Sequence, residues 1–237
     1  MTNPLAFAAR AKGPLALLRR GGAISRRYGL TPARFNRALQ RFTNILDEHH
    51  CGASFPLTAV ALQRNHASLL EYLDRDIEFA VHGYVHIDYS QVDKGLLLDH
   101  VRRAREVFSR AGIAPVGFRT PYLRRAPHLY AALREAGFSY ASNQPILFAL
   151  PPDQERSLSA SEGYRRALDF YTPWDAGKRP SLPRRAGSLV EIPVALPDDE
   201  MLLDRQPGRS GDLVRAIWLH ILSETHKSGE LFTLQLH

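Results

Sequence analysis

The sequence predicts a mixed α/β fold built on parallel strands. Segments with helical periodicity alternate with short apolar runs from about residue 35 onward. Several of the helical segments are ten residues or longer, the length that right-handed crossovers between parallel strands need. With 237 residues and 44% hydrophobic content, the chain can bury a single core.

Taken in order, Phe35, Leu39, Phe42, Ile45 and Leu46 recur at helical spacing, and the apolar run 53–60 reads as a buried strand. A helix over 67–73 and a strand over 77–81 follow. A long helix over 94–111, ended by Gly112 and Pro115, then leads to a strand over 116–118. Next come a helix over 127–136 closed by Gly137, a strand at Tyr140, a strand over 189–195, a helix over 213–226 and, after Gly229, a strand from Leu231. The stretch 151–186, rich in Pro, Ser and Arg, reads as an insertion or mobile loop over the site. This order suits a barrel or a doubly wound sheet. A parallel strand needs cover on both faces, so an apolar run ending at His237 suggests truncation at the C-terminus.

Charge divides the chain into a basic N-terminal extension, residues 1–34, and a domain over 35–237. The extension carries Arg10, Lys12, Arg19, Arg20, Arg26, Arg27 and Arg34 with no acidic residue, which equals the whole net charge of +7. The remainder is neutral, which argues against a nucleic-acid partner, because phosphate binding needs cations clustered on the docking face. Leu15, Leu17 and Leu18 among the cations make the arm a candidate for peripheral contact with an anionic membrane surface. No apolar run is long enough to span a bilayer, and the early cations interrupt any signal-peptide core, so a cytoplasmic protein is expected. The single cysteine, Cys51, cannot form an internal disulfide and reads as a small buried hydrophobe. Neither G-x-G-x-x-G nor G-x-x-x-x-G-K-[ST] occurs, which lowers the case for nucleotide binding.

Three motifs follow expected strands. His82-Gly83-Tyr84-Val85-His86 places two imidazoles four residues apart, a spacing suited to one shared transition metal. Loops at the carboxyl ends of strands build the active sites of α/β barrels, and both histidines lie in such a loop. Arg119-Thr120-Pro121-Tyr122 offers a guanidinium fork for a carboxylate beside a rigid wall. Leu234-Gln235-Leu236-His237 ends in an imidazole with the chemistry of a general acid.

In this order the motifs resemble those of the polysaccharide deacetylase family, the NodB-type carbohydrate esterases: H-[ST]-x-x-H appears as HGYVH, R-x-P-[YF] as RTPY, and L-x-L-H as LQLH. The run 52–59 is similar to that family's A-T-F-F strand. The resemblance covers about Phe35 to His237 and implies a distorted (β/α) barrel. It further implies zinc or another divalent ion on His82 and His86, Arg119 orienting a carboxylate, His237 protonating the leaving amine, and a water activated by the cation as nucleophile.

One motif of the family is missing. T-F-D-D-G, which supplies the usual general base and third metal ligand, should precede the first helix, where Ile24-Ser25-Arg26-Arg27-Tyr28-Gly29 stands instead. Replacement acids are sought in Asp198-Asp199-Glu200, with Asp198 or Asp199 as catalytic carboxylate and Asp199 as metal ligand, while Asp88 is a further ligand or supporting group. Tyr84, Tyr89, Tyr122 and Trp174 are candidate stacking faces for a sugar ring. Glu191-Ile192-Pro193-Val194 loosely resembles a strand region of relatives acting on peptidoglycan or small cyclic amides.

The reading is a metal-dependent hydrolase removing N-acetyl groups from an amino sugar or a lipid-linked glycan precursor. A catalytically inactive glycan- or partner-binding module and a hydrolase of a small cyclic amide are the alternatives.

Overall fold

The computed structural model describes residues 33–205 and 210–236. The basic arm, apart from Ala33 and Arg34, and His237 lie outside them. Of the described residues, 33–54 and 65–78 form one compact unit, and 55–64, 79–205 and 210–236 form another. None of the described helices is long and apolar enough to cross a membrane.

The first unit contains helix α1 (Ala33–Glu48), which buries Leu39 and Thr43. Arg75 pairs with Asp47, and the Ser54 hydroxyl donates to Glu78 at 2.7 Å. Cys51 is exposed, contrary to its expected burial. It follows the turn at His49 and His50, beyond the buried face of α1.

Strand β1 (Ala53–Leu57) is shorter than the apolar run suggested, because Thr58 caps the next helix: its hydroxyl accepts from the Ala61 amide at 3.2 Å. Helix α2 therefore covers Ala59–Leu70, with non-helical backbone at Asn65, rather than starting at Ala67. Strand β2 (Ile77–Val81) and helix α3 (Lys94–Arg110) fall where expected, and α3 is capped by the Asp93 side chain on the Leu96 amide. The remaining strands and α-helices are β3 (Gly117–Phe118), α4 (Leu129–Glu135), β4 (Tyr140–Ala141), β5 (Pro145–Leu147), α5 (Pro152–Ser159), α6 (Glu162–Tyr171), β6 (Trp174–Asp175), β7 (Arg184–Ala186), β8 (Leu189–Glu191), β9 (Val194–Leu196) and α7 (Gly211–Ser228).

The fold is mixed α/β with parallel strands, as the pattern implies. Its strands make two sheets, ordered β1-β2-β3-β4-β8-β7 and β6-β5-β9, and among the described residues no closed barrel forms. The reason is visible at two neighbouring chain segments. The expected strand 189–195 is cut by Pro193, which has no N–H to give to a ladder. Ile192 still donates to Ala141 of the first sheet, whereas Val194 donates to Gln144, beside β5 of the second. The segment it pairs with changes sheet at the same level, between β4 and β5. There the Glu191 carboxylate accepts from the Asn143 amide at 2.5 Å and the Gln144 amide at 2.7 Å, satisfying two donors the ladders leave over. Burial pushes the Glu191 carboxyl up in pKa despite these bonds.

The expected irregular stretch 151–186 is largely ordered as helices. Tyr164, Ala167 and Tyr171 line the buried face of α6 at helical spacings and enter a core with Ile146, Leu196 and Ile217. The run from Leu231 forms no regular strand over the described residues, although the Thr233 carbonyl accepts from the Ala195 amide of β9 at 3.3 Å.

Candidate functional site

The loop after β2 begins with His82, whose amide donates to Leu57 at 2.7 Å. Gly83 takes φ +84°, and a Cβ there would meet the Tyr89 hydroxyl at 2.6 Å, so glycine is required by both backbone and space. Fully buried Tyr89 supports the turn from inside: its hydroxyl accepts from the Tyr84 amide at 3.0 Å and lies 3.3 Å from His100 Nδ1. The turn brings the His82 and His86 rings to a centroid separation of 5.2 Å.

His82 Nδ1 hydrogen-bonds the Arg119 carbonyl at 2.8 Å, an acceptor that holds the proton on Nδ1 and leaves Nε2 as the basic nitrogen. This is how metal-binding imidazoles are commonly oriented. The second motif is anchored in turn on the segment between β4 and β5. Arg119 Nε donates to the Ser142 carbonyl at 3.1 Å and Nη2 to the Ser142 hydroxyl at 2.7 Å, while the Thr120 amide donates to Asn143 Oδ1 at 2.6 Å. Burial lowers the Arg119 pKa, and Tyr140, Glu191 and Asp198 oppose that shift.

Tyr122 has φ +62° and Leu123 φ +55°, conformations that cost a side-chain-bearing residue about 1 kcal/mol or more each. This strain turns Tyr122 outward, 41% exposed, with its ring 4.7 Å from that of His86. Phe170 of α6 packs on its other side at 5.9 Å, so the segment read as an insertion does reach this loop.

The third motif joins through a residue to which sequence reasoning assigned no role. Gln235 Oε1 accepts from Arg119 Nη1 at 3.1 Å, and its Nε2 donates to Asp198 Oδ2, also at 3.1 Å. Ser142 was missed as well. The signal available for Ser142 was its place just past a strand's carboxyl end, and for Gln235 its place within the L-x-L-H motif.

Hydrogen bonds and ring contacts thus link His82, His86, Arg119, Tyr122 and Asp198. The remaining candidates have partners of their own. Asp199 accepts from the Glu200 amide at 2.9 Å, and Glu200 holds Tyr171 and Arg205. Asp88 pairs with Arg124 at 3.2 Å. The Tyr84 ring lies under the Arg103 guanidinium of α3, 4.2 Å from its centroid, and the Trp174 ring carries Arg179 at 4.2 Å and Arg184 at 5.2 Å. Among the described residues no three His, Cys, Asp or Glu side chains converge closely enough to hold a metal ion. The donor set offered there is the two-imidazole pair.

Residues 30–141 match the family model described as polysaccharide deacetylase. That match, over 112 of the 237 residues, supports a divergent relative of the polysaccharide deacetylase family. Solved structures agree on the fold. A protein of Mycobacterium smegmatis described as a polysaccharide deacetylase is 22% identical, with a TM-score of 0.62 over 90% of this chain and 72% of that one. One of Pseudomonas aeruginosa PAO1, described likewise, is 20% identical, with a TM-score of 0.59 over 84% of this chain and 59% of that one. Puue allantoinase is 17% identical, with a TM-score of 0.57 over 84% and 59%. The chain thus spans less than two thirds of the last two. The search of curated proteins gives no match. The deacetylase family model ends at β4, so Asp198, Gln235 and His237 lie beyond it.

Proposed function

We propose that this deacetylase-family chain hydrolyses the N-acyl amide of an amino sugar or glycan precursor at the His82–Arg119 loops. The observation carrying this reading is the 2.8 Å bond from His82 Nδ1 to the Arg119 carbonyl, which fixes one imidazole and joins two motif loops. His82 and His86 would hold a divalent cation such as zinc, with water and substrate completing its shell. Such an ion, when bound, polarises the acyl carbonyl and lowers the pKa of an attacking water. Asp198, 1% exposed and oriented by the Met201 amide at 3.0 Å and by Gln235, takes the proton of that water in this scheme. His237 is assigned the proton delivered to the leaving amine. Tyr122 offers its exposed ring to the sugar.

Acetate release from N-acetylglucosamine oligomers tests the scheme. The parent releases acetate, His82→Ala abolishes it, and Asp198→Asn lowers turnover by about 100-fold or more. Ring opening of cyclic imides without acetate release would move the substrate to small cyclic amides. The two-imidazole donor set favours a second reading, a glycan-binding module without turnover. Retained oligomer binding with no acetate released at saturating zinc selects it.

A further inference from the structure

Arg119 has an unusual set of partners for an enclosed cation. Its three side-chain hydrogen bonds all end on neutral oxygens: the Ser142 carbonyl, the Ser142 hydroxyl and Gln235 Oε1. All 24 acidic residues of the chain lie among the described residues, and none of them makes an ion pair with Arg119. The nearest linked carboxylate, that of Asp198, is held one amide away, because Gln235 donates to it while accepting from the guanidinium. By contrast Arg124, in the same loop, pairs with Asp88 at 3.2 Å.

A guanidinium carries five N–H donors in a planar fork. Three are used, which leaves one on Nη1 and one on Nη2. Removing a cation from water without an anion in contact is costly, and burial duly lowers the Arg119 pKa. Over the whole residue Arg119 is half-buried.

We infer that Arg119 receives a carboxylate of the substrate: the chain acts on, or binds, acyl amides that bear a monoanionic carboxylate near the amide. Two N–H groups of one planar fork match the two oxygens of a carboxylate. A dianion such as a phosphate monoester is disfavoured, since one positive charge faces it while Glu191 and Asp198 already lie close enough to act on Arg119. This assignment rests on the site proposed above but not on turnover there.

Calorimetric titration of the full chain with N-acetylmuramic acid and with its methyl ester tests the inference. The acid should bind about tenfold more tightly than the ester, as a charge-assisted pair requires. Arg119→Gln should remove that preference, and Arg119→Lys, which keeps charge without the fork, should restore only part of it. Should Arg119→Gln fail to fold, the acid and ester compared on the parent chain decide alone. Equal affinity for the two, no binding of the acid, or a preference that survives in a folded Arg119→Gln chain overturns the assignment. Acid binding without acetate release leaves it standing and removes hydrolysis instead.

Discussion

The loop 82–86 after β2 and the run 198–200 after β9 carry similar chemistry in sequence but arrange it in opposite ways. In the first, two imidazoles converge to 5.2 Å because Gly83 turns the backbone and Tyr89 fills the turn from within. In the second, three adjacent acids disperse. Asp198 turns to the Met201 amide and Gln235, Asp199 caps the Glu200 amide, and Glu200 reaches Tyr171 and Arg205. Successive side chains on a helical turn point about 100° apart, so the neighbouring acids part company there, whereas the left-handed backbone at Gly83 folds His86 back toward His82. Donor spacing, not donor density, predicts convergence.

The sharpest way to break the convergent loop is Gly83→Ala. The side chain would enter space held by Tyr89 in a left-handed backbone, and unfolding in urea should show a loss of about 2–4 kcal/mol. Tyr89→Phe keeps the ring but strips the hydroxyl from the Tyr84 amide, and about 1–2 kcal/mol should be lost in the same measurement.

The loop should also respond to acid through His100. Its burial, more than any neighbouring charge, lowers its pKa below the usual histidine value, so the folded state binds the proton less readily than the unfolded chain does. The stability from neutral His100 is present above about pH 6.5 and is lost as pH falls through the depressed folded value. His100→Gln should flatten that part of the stability-against-pH curve. On the dispersed side, Glu200→Gln weakens one partly buried pair with Arg205, worth about 1 kcal/mol or less.

The same physics explains what was legible in the sequence. Helices α1 and α3, strand β2 and the parallel arrangement follow from periodicity and punctuation, which are local. The helices inside 151–186 were hidden by a Pro, Ser and Arg composition typical of loops, although Tyr164, Ala167 and Tyr171 already had helical spacing. The break at Pro193 is a local signal, a residue with no N–H, set inside an apolar run that otherwise reads as one strand. The support of Arg119 by Ser142 and Gln235 was not readable, because it joins residues 23 and 116 positions away. Gln235 lay within a recognised motif, yet only its contact with both Arg119 and Asp198 gives it a role.

Zinc titration of the metal-free chain, followed calorimetrically beside His82→Ala and His86→Ala, tests the convergent loop as a metal cradle most directly. One zinc should bind per chain, and either substitution should weaken it by about 100-fold, as loss of one of two imidazole ligands requires. Binding that is absent, or that both variants retain at parental strength, would contradict the account.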